Sequence, residues 1–283
     1  MKKKECSERI EQKEILLEPP RGWLNLRMKE LWEFRELLYF LTWRDIKVRY
    51  KQTFLGAAWA IIQPIITMVI FSIVFGKLAK LPSEGFPYPI FTYTALLPWQ
   101  LFSRSLSDAS ASLISNKHMI SKIYFPRIFL PISSILSSLV DFFIAFLVLL
   151  GMMVYYEIAI TWRILFLPAF LLLAVISALA AGLWLSALNV RYRDIKYVTP
   201  FLLRVWLYAT PIAYTSSLIP KEWELVYGLN PMVGIVNGFR WAILGQSIEL
   251  SSLAIISTSV VLMFFISGLF YFQRMEQTFA DLI

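Results

Sequence analysis

From residue 55 onward the chain alternates long apolar runs with short polar connections. Six runs approach the ~20 residues that an α-helix needs to cross ~30 Å of hydrocarbon. They lie at about 55–76, with Pro64 inside it; 88–110, with Pro98, Arg104 and Asp108; 128–155, long enough to tilt; 165–190; 197–214, marked by Pro200 and Pro211; and 253–272. Ahead of them, Met28, Leu31, Phe34, Leu38 and Leu41 recur at helical spacing while Lys29, Glu30, Glu33 and Glu36 take other faces. With Trp23, Trp32, Tyr39 and Trp43 as flanking aromatics, this pattern predicts an amphipathic helix over 24–43 lying in the headgroup plane. The same spacing fits a soluble helix packed on a partner. Residues 44–51, Arg-Asp-Ile-Lys-Val-Arg-Tyr-Lys, form a basic collar before the first run.

The stretch 216–251 fits neither pattern. It is too apolar for a free loop, yet Pro220, Gly228, Pro231, Gly234, Gly238 and Gly245 interrupt it. Asn230-Pro231 is a good N-cap and first-turn pair. The segment reads as two short helices that dip into the outer leaflet and return, which non-spanning backbone tolerates only against protein or water. The alternative is one more full span, which would put the C-terminus outside.

Charge decides between these. The chain has 27 Lys+Arg and 19 Asp+Glu, and residues 1–51 hold 13 and 9 of them. With the N-terminus inside, those 13 join Lys117, Lys122, Arg127, Arg191, Arg193, Lys196 and Arg274, which makes 20. Lys77, Lys80, Arg163, Lys221 and Arg240 make 5 outside, and Arg104 and Arg204 fall in spans. Cytoplasmic excess of Lys and Arg sets orientation, so both termini are expected inside. Residues 1–22 form a polar tail containing Pro19-Pro20, with no apolar stretch of the signal-peptide kind.

Composition narrows the chemistry. Apolar residues are 58% and charged residues 16% of 283, against about a quarter charged in soluble domains, which excludes a cytosolic enzyme, a disordered tail and a disulfide scaffold. One cysteine, Cys6, and one histidine, His118, cannot furnish a zinc site. No phosphate-cradling G-x-x-x-x-G-K-[ST] loop occurs, so any ATP is bound by another chain.

Ionisable groups inside spans are costly and are functional candidates by default. Asp141 sits in the middle of the third span, on a stripe with Ser134, Ser137 and Ser138 that should face protein or water. It fits a polar conduit, a subunit contact or a packing hydrogen bond. Arg104 and Asp108 are four apart and can pair. Their expected depth is nearer the cytoplasm than that of Asp141. Arg204 fits either snorkelling or attraction of an anionic substrate. Trp59, Trp99, Trp184, Trp206, Tyr208 and Tyr214 place aromatic rings within the membrane, where flat faces could stack on sugars or simply pack. The connection 115–127, with Asn116, Lys117, His118, Lys122, Tyr124 and Arg127, is a compact basic element that fits docking on a soluble partner or a plain positive-inside loop.

Several blocks together resemble ABC-2 type polysaccharide export permeases, the membrane subunits that export O-antigen, capsule and teichoic acid. Arg44-Asp45-Ile46-Lys47-Val48-Arg49-Tyr50-Lys51-Gln52-Thr53-Phe54-Leu55-Gly56 leads to Trp59 and Gln63-Pro64. Leu97-Pro98-Trp99, Ser121 through Arg127 with Leu130-Pro131, and Val140-Asp141-Phe142 follow. Asn189 through Ile195, Leu229-Asn230-Pro231-Met232 and Gly238-Phe239-Arg240 complete the order. The resemblance runs from about Trp23 to the end and does not reach the residues before Pro19.

The resemblance implies a homodimer of this subunit with two copies of a separate ABC ATPase, which holds ATP and Mg2+; none of these cofactors is expected in this chain. It implies that 115–127 is the coupling element and that the helix pair around Asn230, Pro231, Asn237 and Arg240 is an outer gate. It implies a polysaccharide substrate, often on undecaprenyl pyrophosphate, and a bacterial inner-membrane location. The expected fold is therefore all-α and integral to the membrane: six transmembrane helices, an N-terminal interface helix, and a re-entrant pair between spans five and six. The divisions are 1–22 tail, 23–51 interface helix and collar, and 52–283 permease domain. A small-molecule ABC-2 permease shares this topology. A membrane transferase acting on lipid-linked sugar would instead need paired carboxylates, for which Asp108 and Asp141 are the available residues.

Overall fold

The computed structural model describes residues 28–51, 56, 58–245, 251–276 and 278–279. Among them the chain is helical with no strand. Helix α1 (Met28–Glu33) passes into α2 (Arg35–Lys51) across Phe34, whose amide still donates to the Glu30 carbonyl at 2.9 Å. The predicted interface helix is thus present from Met28, and residues 24–27, with Trp23 and Cys6, lie outside the described residues. The basic collar proves to be the C-terminal part of α2. Arg49 and Lys51 lie in its last turn, where the helix dipole favours positive charge.

Helix α3 (Ala58–Phe71) contains Pro64 and continues as a π-helical stretch, Ser72–Leu78. Helix α4 (Tyr88–Ser115) leads through α5 (Lys117–Ile120) to α6 (Phe129–Tyr155). A 3₁₀ turn, Trp162–Phe166, opens α7 (Leu167–Arg191), and α8 (Ile195–Ala209) follows. Two short 3₁₀ turns precede α9 (Glu224–Gly228), then come α10 (Pro231–Leu244) and α11 (Ser251–Glu276).

Among the described residues, four stretches are long and apolar enough to cross a membrane: Ala58–Leu78, Phe129–Tyr155, Trp162–Arg191 and Leu253–Glu276. The other two predicted spans are helices of a different kind. Helix α4 has the length, 28 residues, but its many hydroxyl, amide and charged side chains dilute its apolarity. It affords them because neighbours surround it: every residue from Ile90 to Trp99 is buried. Helix α8 has 15 residues, which at ~1.5 Å per residue is about 22 Å, short of the hydrocarbon thickness.

Helix α4 is the axis of the molecule. It packs against α6, α7 and α10, and α11 closes over α7. Small residues let α4 and α7 approach: a Cβ on Gly182 would lie 2.9 Å from the Ala109 Cβ. Close approach through small residues is how membrane helices gain packing without a hydrophobic driving force. Gly182→Val should therefore push α7 off α4 and cost ~1–3 kcal/mol, read as a lower thermal midpoint in detergent. No loss of midpoint would mean that this contact is slack.

The main apolar core lies along α4, α6, α7 and α10. A second core gathers Leu41 of α2, Leu113 and Ile120 around α5, Phe125, Phe129, Leu183 and Phe272. It underlies the 115–128 connection. Helix α10 is enclosed by α4, α7 and α11, so its backbone meets protein.

Candidate functional site

The C-terminal turn of α2 delivers Arg49 into a junction with α4 and α6. Its guanidinium donates to Asp108 Oδ2 at 2.6 Å and to Asp141 Oδ2 at 2.7 Å. It also reaches the Ser137 carbonyl and hydroxyl, both at 3.3 Å. The next residue, Tyr50, donates its hydroxyl to Asp141 Oδ1. Burial, reinforced by that bond, pushes the Tyr50 phenol well above its ordinary value, so it stays a donor at physiological pH. Arg104 Nε stands 3.4 Å from Asp141 Oδ2 and 3.9 Å from Asp108 Oδ2. Two arginines and two aspartates thus close a neutral cluster. One turn earlier on α2, Asp45 accepts from Ser133 Oγ at 3.0 Å.

The expected difference in depth between Asp108 and Asp141 is not found, because both carboxylates hold the same guanidinium. The expected Arg104–Asp108 pair is present but is the longest contact of the cluster. The predicted serine stripe does face protein: Ser134, Ser137 and Ser138 are buried, and their hydroxyls donate to carbonyls of their own helix.

The cluster forms one wall of a cleft of about 440 Å³ between α3, α4, α6 and α8. Of the predicted conduit residues it brings together Trp59, Trp99, Asp141 and Arg204, and adds the amides Gln63 and Gln100. The remaining four lie elsewhere. Trp184 stacks on Tyr271 at 4.2 Å and donates to Ser267, fastening α7 to α11. Trp206 meets Phe102 edge-on at 5.0 Å and donates to Asn230 Oδ1 at 2.8 Å. Tyr208 is exposed, and its carbonyl accepts from the Tyr214 hydroxyl, which in turn accepts from Tyr227.

Arg49, Tyr50, Gln63 and Gln100 escaped sequence reasoning as site residues. A signal for Arg49 existed: Arg104, Asp108 and Asp141 leave one negative charge over in the second and third spans, and an intramembrane charge needs a partner.

At the predicted gate, Asn230 caps α10 as expected. Its side chain accepts from the Met232 amide at 3.0 Å, Pro231 takes the first turn, and its Nδ2 donates to the Ala209 carbonyl at 3.1 Å. Asn237 and Ser216 bond to each other. Arg240 is buried at 1% exposure. It donates to the carbonyls of Ile212 at 2.8 Å and Tyr214 at 3.1 Å, and its guanidinium lies 3.6 Å from the Phe91 ring centre. It thereby clamps the turn after α8 to α10 and α4.

The predicted coupling element is a knuckle on the second core. Phe125 and Ile120 anchor it, while Lys117, His118, Lys122, Ile123 and Tyr124 are exposed. Asn116 ends α4 and donates from Nδ2 to the Ser112 carbonyl at 2.8 Å. Arg127 faces the other way. Its amide donates to Glu276 Oε1 at 3.0 Å and its guanidinium to the Glu276 carbonyl, tying the knuckle to α11. No group of three or more His, Cys, Asp or Glu that could hold a metal occurs among the described residues.

Comparison with known proteins agrees with this architecture. An O-antigen export system permease protein RfbA of Myxococcus xanthus is 30% identical over 260 residues, covering 90% of this chain and 98% of the relative. Its namesake from Klebsiella pneumoniae is 26% identical over 268 residues, covering 92% and 100%. The polysialic acid transport protein KpsM of Escherichia coli is 25% identical over 248 residues, covering 82% and 91%. The ABC-2 type transporter family matches residues 36–244, from the start of α2 to the end of α10, and the chain belongs to that family.

Proposed function

We propose that this chain is the membrane permease of an ATP-driven exporter for polysaccharide, with nucleotide bound and hydrolysed on a separate ABC ATPase. The similarity over nearly the whole length to permeases named for O-antigen and polysialic acid carries this reading. The cleft supports it chemically. Two indole faces, two carboxamides and arginine donors offer what hydroxyl-rich, flat-faced sugar rings need: stacking surface and paired hydrogen bonds. A small-molecule permease of the same family would need the coupling knuckle but not this combination.

In this reading two copies form the channel, two ATPases sit below it, and the glycan travels on a lipid carrier such as undecaprenyl pyrophosphate. The chain crosses the bacterial inner membrane six times with both termini inside: α4 and α8 complete the crossing that the four apolar helices begin, and α9–α10 form a re-entrant outer gate. Asn230, Pro231, Asn237 and Arg240 hold that gate against α4 and α8.

The exposed knuckle is the docking element for the ATPase. Its positive side chains beside Ile123 and Tyr124 combine an apolar tip with charges that steer association. The test is co-purification with co-expressed candidate ATPases, followed by ATP turnover and glycan export. Reversing Lys117 and Lys122 to Glu should lower export by about tenfold or more, as when a rim charge pattern is inverted, while the isolated ATPase keeps its turnover. A chain that binds no ATPase, or whose export ignores the knuckle, would overturn the proposal.

A further inference from the structure

The N-terminal half of helix α2 packs apolar side chains, Leu37, Leu38 and Leu41, on the second core, whereas its C-terminal half meets the bundle through polar groups. Leu41 is the helix's one buried side chain, whereas Tyr39, Phe40 and Val48 are exposed, and its packing partner is α6. The C-terminal half is fixed by polar contacts, Asp45 with Ser133 and Arg49 with the two aspartates. If α2 left, Asp108 and Asp141 would lose their nearest cation inside the protein, and an unpaired carboxylate there is strongly disfavoured.

A replacement is already in place. Arg104 Nε addresses the same two oxygens as Arg49, Asp108 Oδ2 and Asp141 Oδ2, at 3.9 and 3.4 Å instead of 2.6 and 2.7 Å. Arg104 lies one turn before Asp108 on α4, so it stays with the carboxylates whatever α2 does. It is also half-exposed to the cleft and has room to turn inward.

We propose that Arg49 and Arg104 are an exchange pair: α2 is docked while Arg49 bridges Asp108 and Asp141, and is released when Arg104 takes over the same oxygens. With α2 released, Arg104 and the two aspartates carry one net negative charge, but both carboxylates keep a cation beside them, so α2 can move without leaving either one unpaired. Arg49 is then a positioning residue. It joins the interface helix to the two helices that lead into and out of the 115–128 knuckle, so a displacement of the knuckle biases α2. This goes beyond the transport reading and does not depend on the substrate.

The experiment uses the full chain in membranes, with Cys6→Ser and the cross-linking pair Asp45→Cys and Ser133→Cys, whose side chains touch in the docked state. Disulfide yield after oxidation reports docking. Arg49→Gln should lower that yield about tenfold, which corresponds to ~1.4 kcal/mol of lost docking, while Arg104→Gln should leave it at the parental level or higher. Without the cysteine pair, Arg49→Gln and Arg104→Gln should each lower the thermal midpoint slightly, and the double variant by clearly more than their sum, because each arginine covers for the other. Should Arg49→Gln fold poorly, Arg49→Lys keeps the charge but not the two-carboxylate bridge, and should give an intermediate yield. Unchanged cross-linking in the Arg49 variants would overturn the latch; additive midpoints would overturn the exchange. Neither readout needs ATP or glycan, so a failed search for an ATPase partner would leave both standing.

Discussion

Asp141→Ala is expected to be the most damaging single change in the α2–α4–α6 junction, lowering stability by ~3–5 kcal/mol, the range for removing one partner of a buried ion pair. The magnitude follows from what is left behind. Arg49 and Arg104 would share Asp108 alone, Tyr50 would lose its acceptor, and the cluster would carry one uncompensated positive charge. Asp141 and Arg49 side chains are each 16% exposed, so water can relieve only part of that charge. Asp141→Asn keeps one of the two acceptor oxygens and loses the charge, and should lose about half as much. Thermal unfolding of the purified protein, together with export in cells, measures both. Equal stability of Asp141→Ala and the parent would mean that the cluster is fully hydrated and carries no structural weight. A transferase using Asp108 and Asp141 would instead lose its chemistry in Asp141→Asn with little loss of stability; full ion pairing of both carboxylates argues against free acid–base groups.

Arg240→Leu is expected to cost ~2–4 kcal/mol and to loosen the turn that Arg240 clamps. Two charge-assisted bonds, worth ~1.5–3 kcal/mol each, and a desolvated cation–π contact of ~2 kcal/mol would be lost. Relief of the desolvation cost of a buried charge offsets a part of this. Arg240→Lys should not restore stability, because one ammonium cannot meet the carbonyls of Ile212 and Tyr214 and the Phe91 face in the same geometry. Hydrogen exchange offers the sharper readout: amides of 210–215 should exchange faster in Arg240→Leu while those of α7 do not. Uniform exchange across both would place the role of Arg240 in general packing and not in the turn.

Much of the fold was legible in the chain because a bilayer enforces a simple code. Apolar length gave the four unambiguous helices, Ala58–Leu78, Phe129–Tyr155, Trp162–Arg191 and Leu253–Glu276, since backbone in lipid must satisfy itself within a helix. The Asn230-Pro231 cap was equally readable, as capping is a local hydrogen bond between residues two apart. The helical form of the collar was not legible, because a run of alternating charge carries no helical apolar stripe. It is helical because it continues α2 and ends in a cluster supplied by other helices.

The candidate site was legible only in pieces. Asp141, Arg104 and Asp108 announced themselves as charges within apolar surroundings. Their shared partner Arg49 did not, because it looks like one more cation in a basic run. Among the aromatics, sequence could not separate Trp59 and Trp99, which line the cleft, from Trp184, which fastens α7 to α11. All are indoles in apolar helices, and a ring's role depends on which neighbour its face meets.

By itself, then, the sequence determined that this is a helical, multi-pass membrane protein, and its charge pattern predicts which side faces the cytoplasm. These properties follow from length, hydropathy and charge, which act locally and add along the chain. Only the tertiary structure decided that Arg49, 59 and 92 residues distant from Asp108 and Asp141, completes their charge, and that Arg104 waits beside the same oxygens. Ion pairs across such separations depend on how three helices cross, and crossing geometry comes from the small residues and buried surfaces at which they pack.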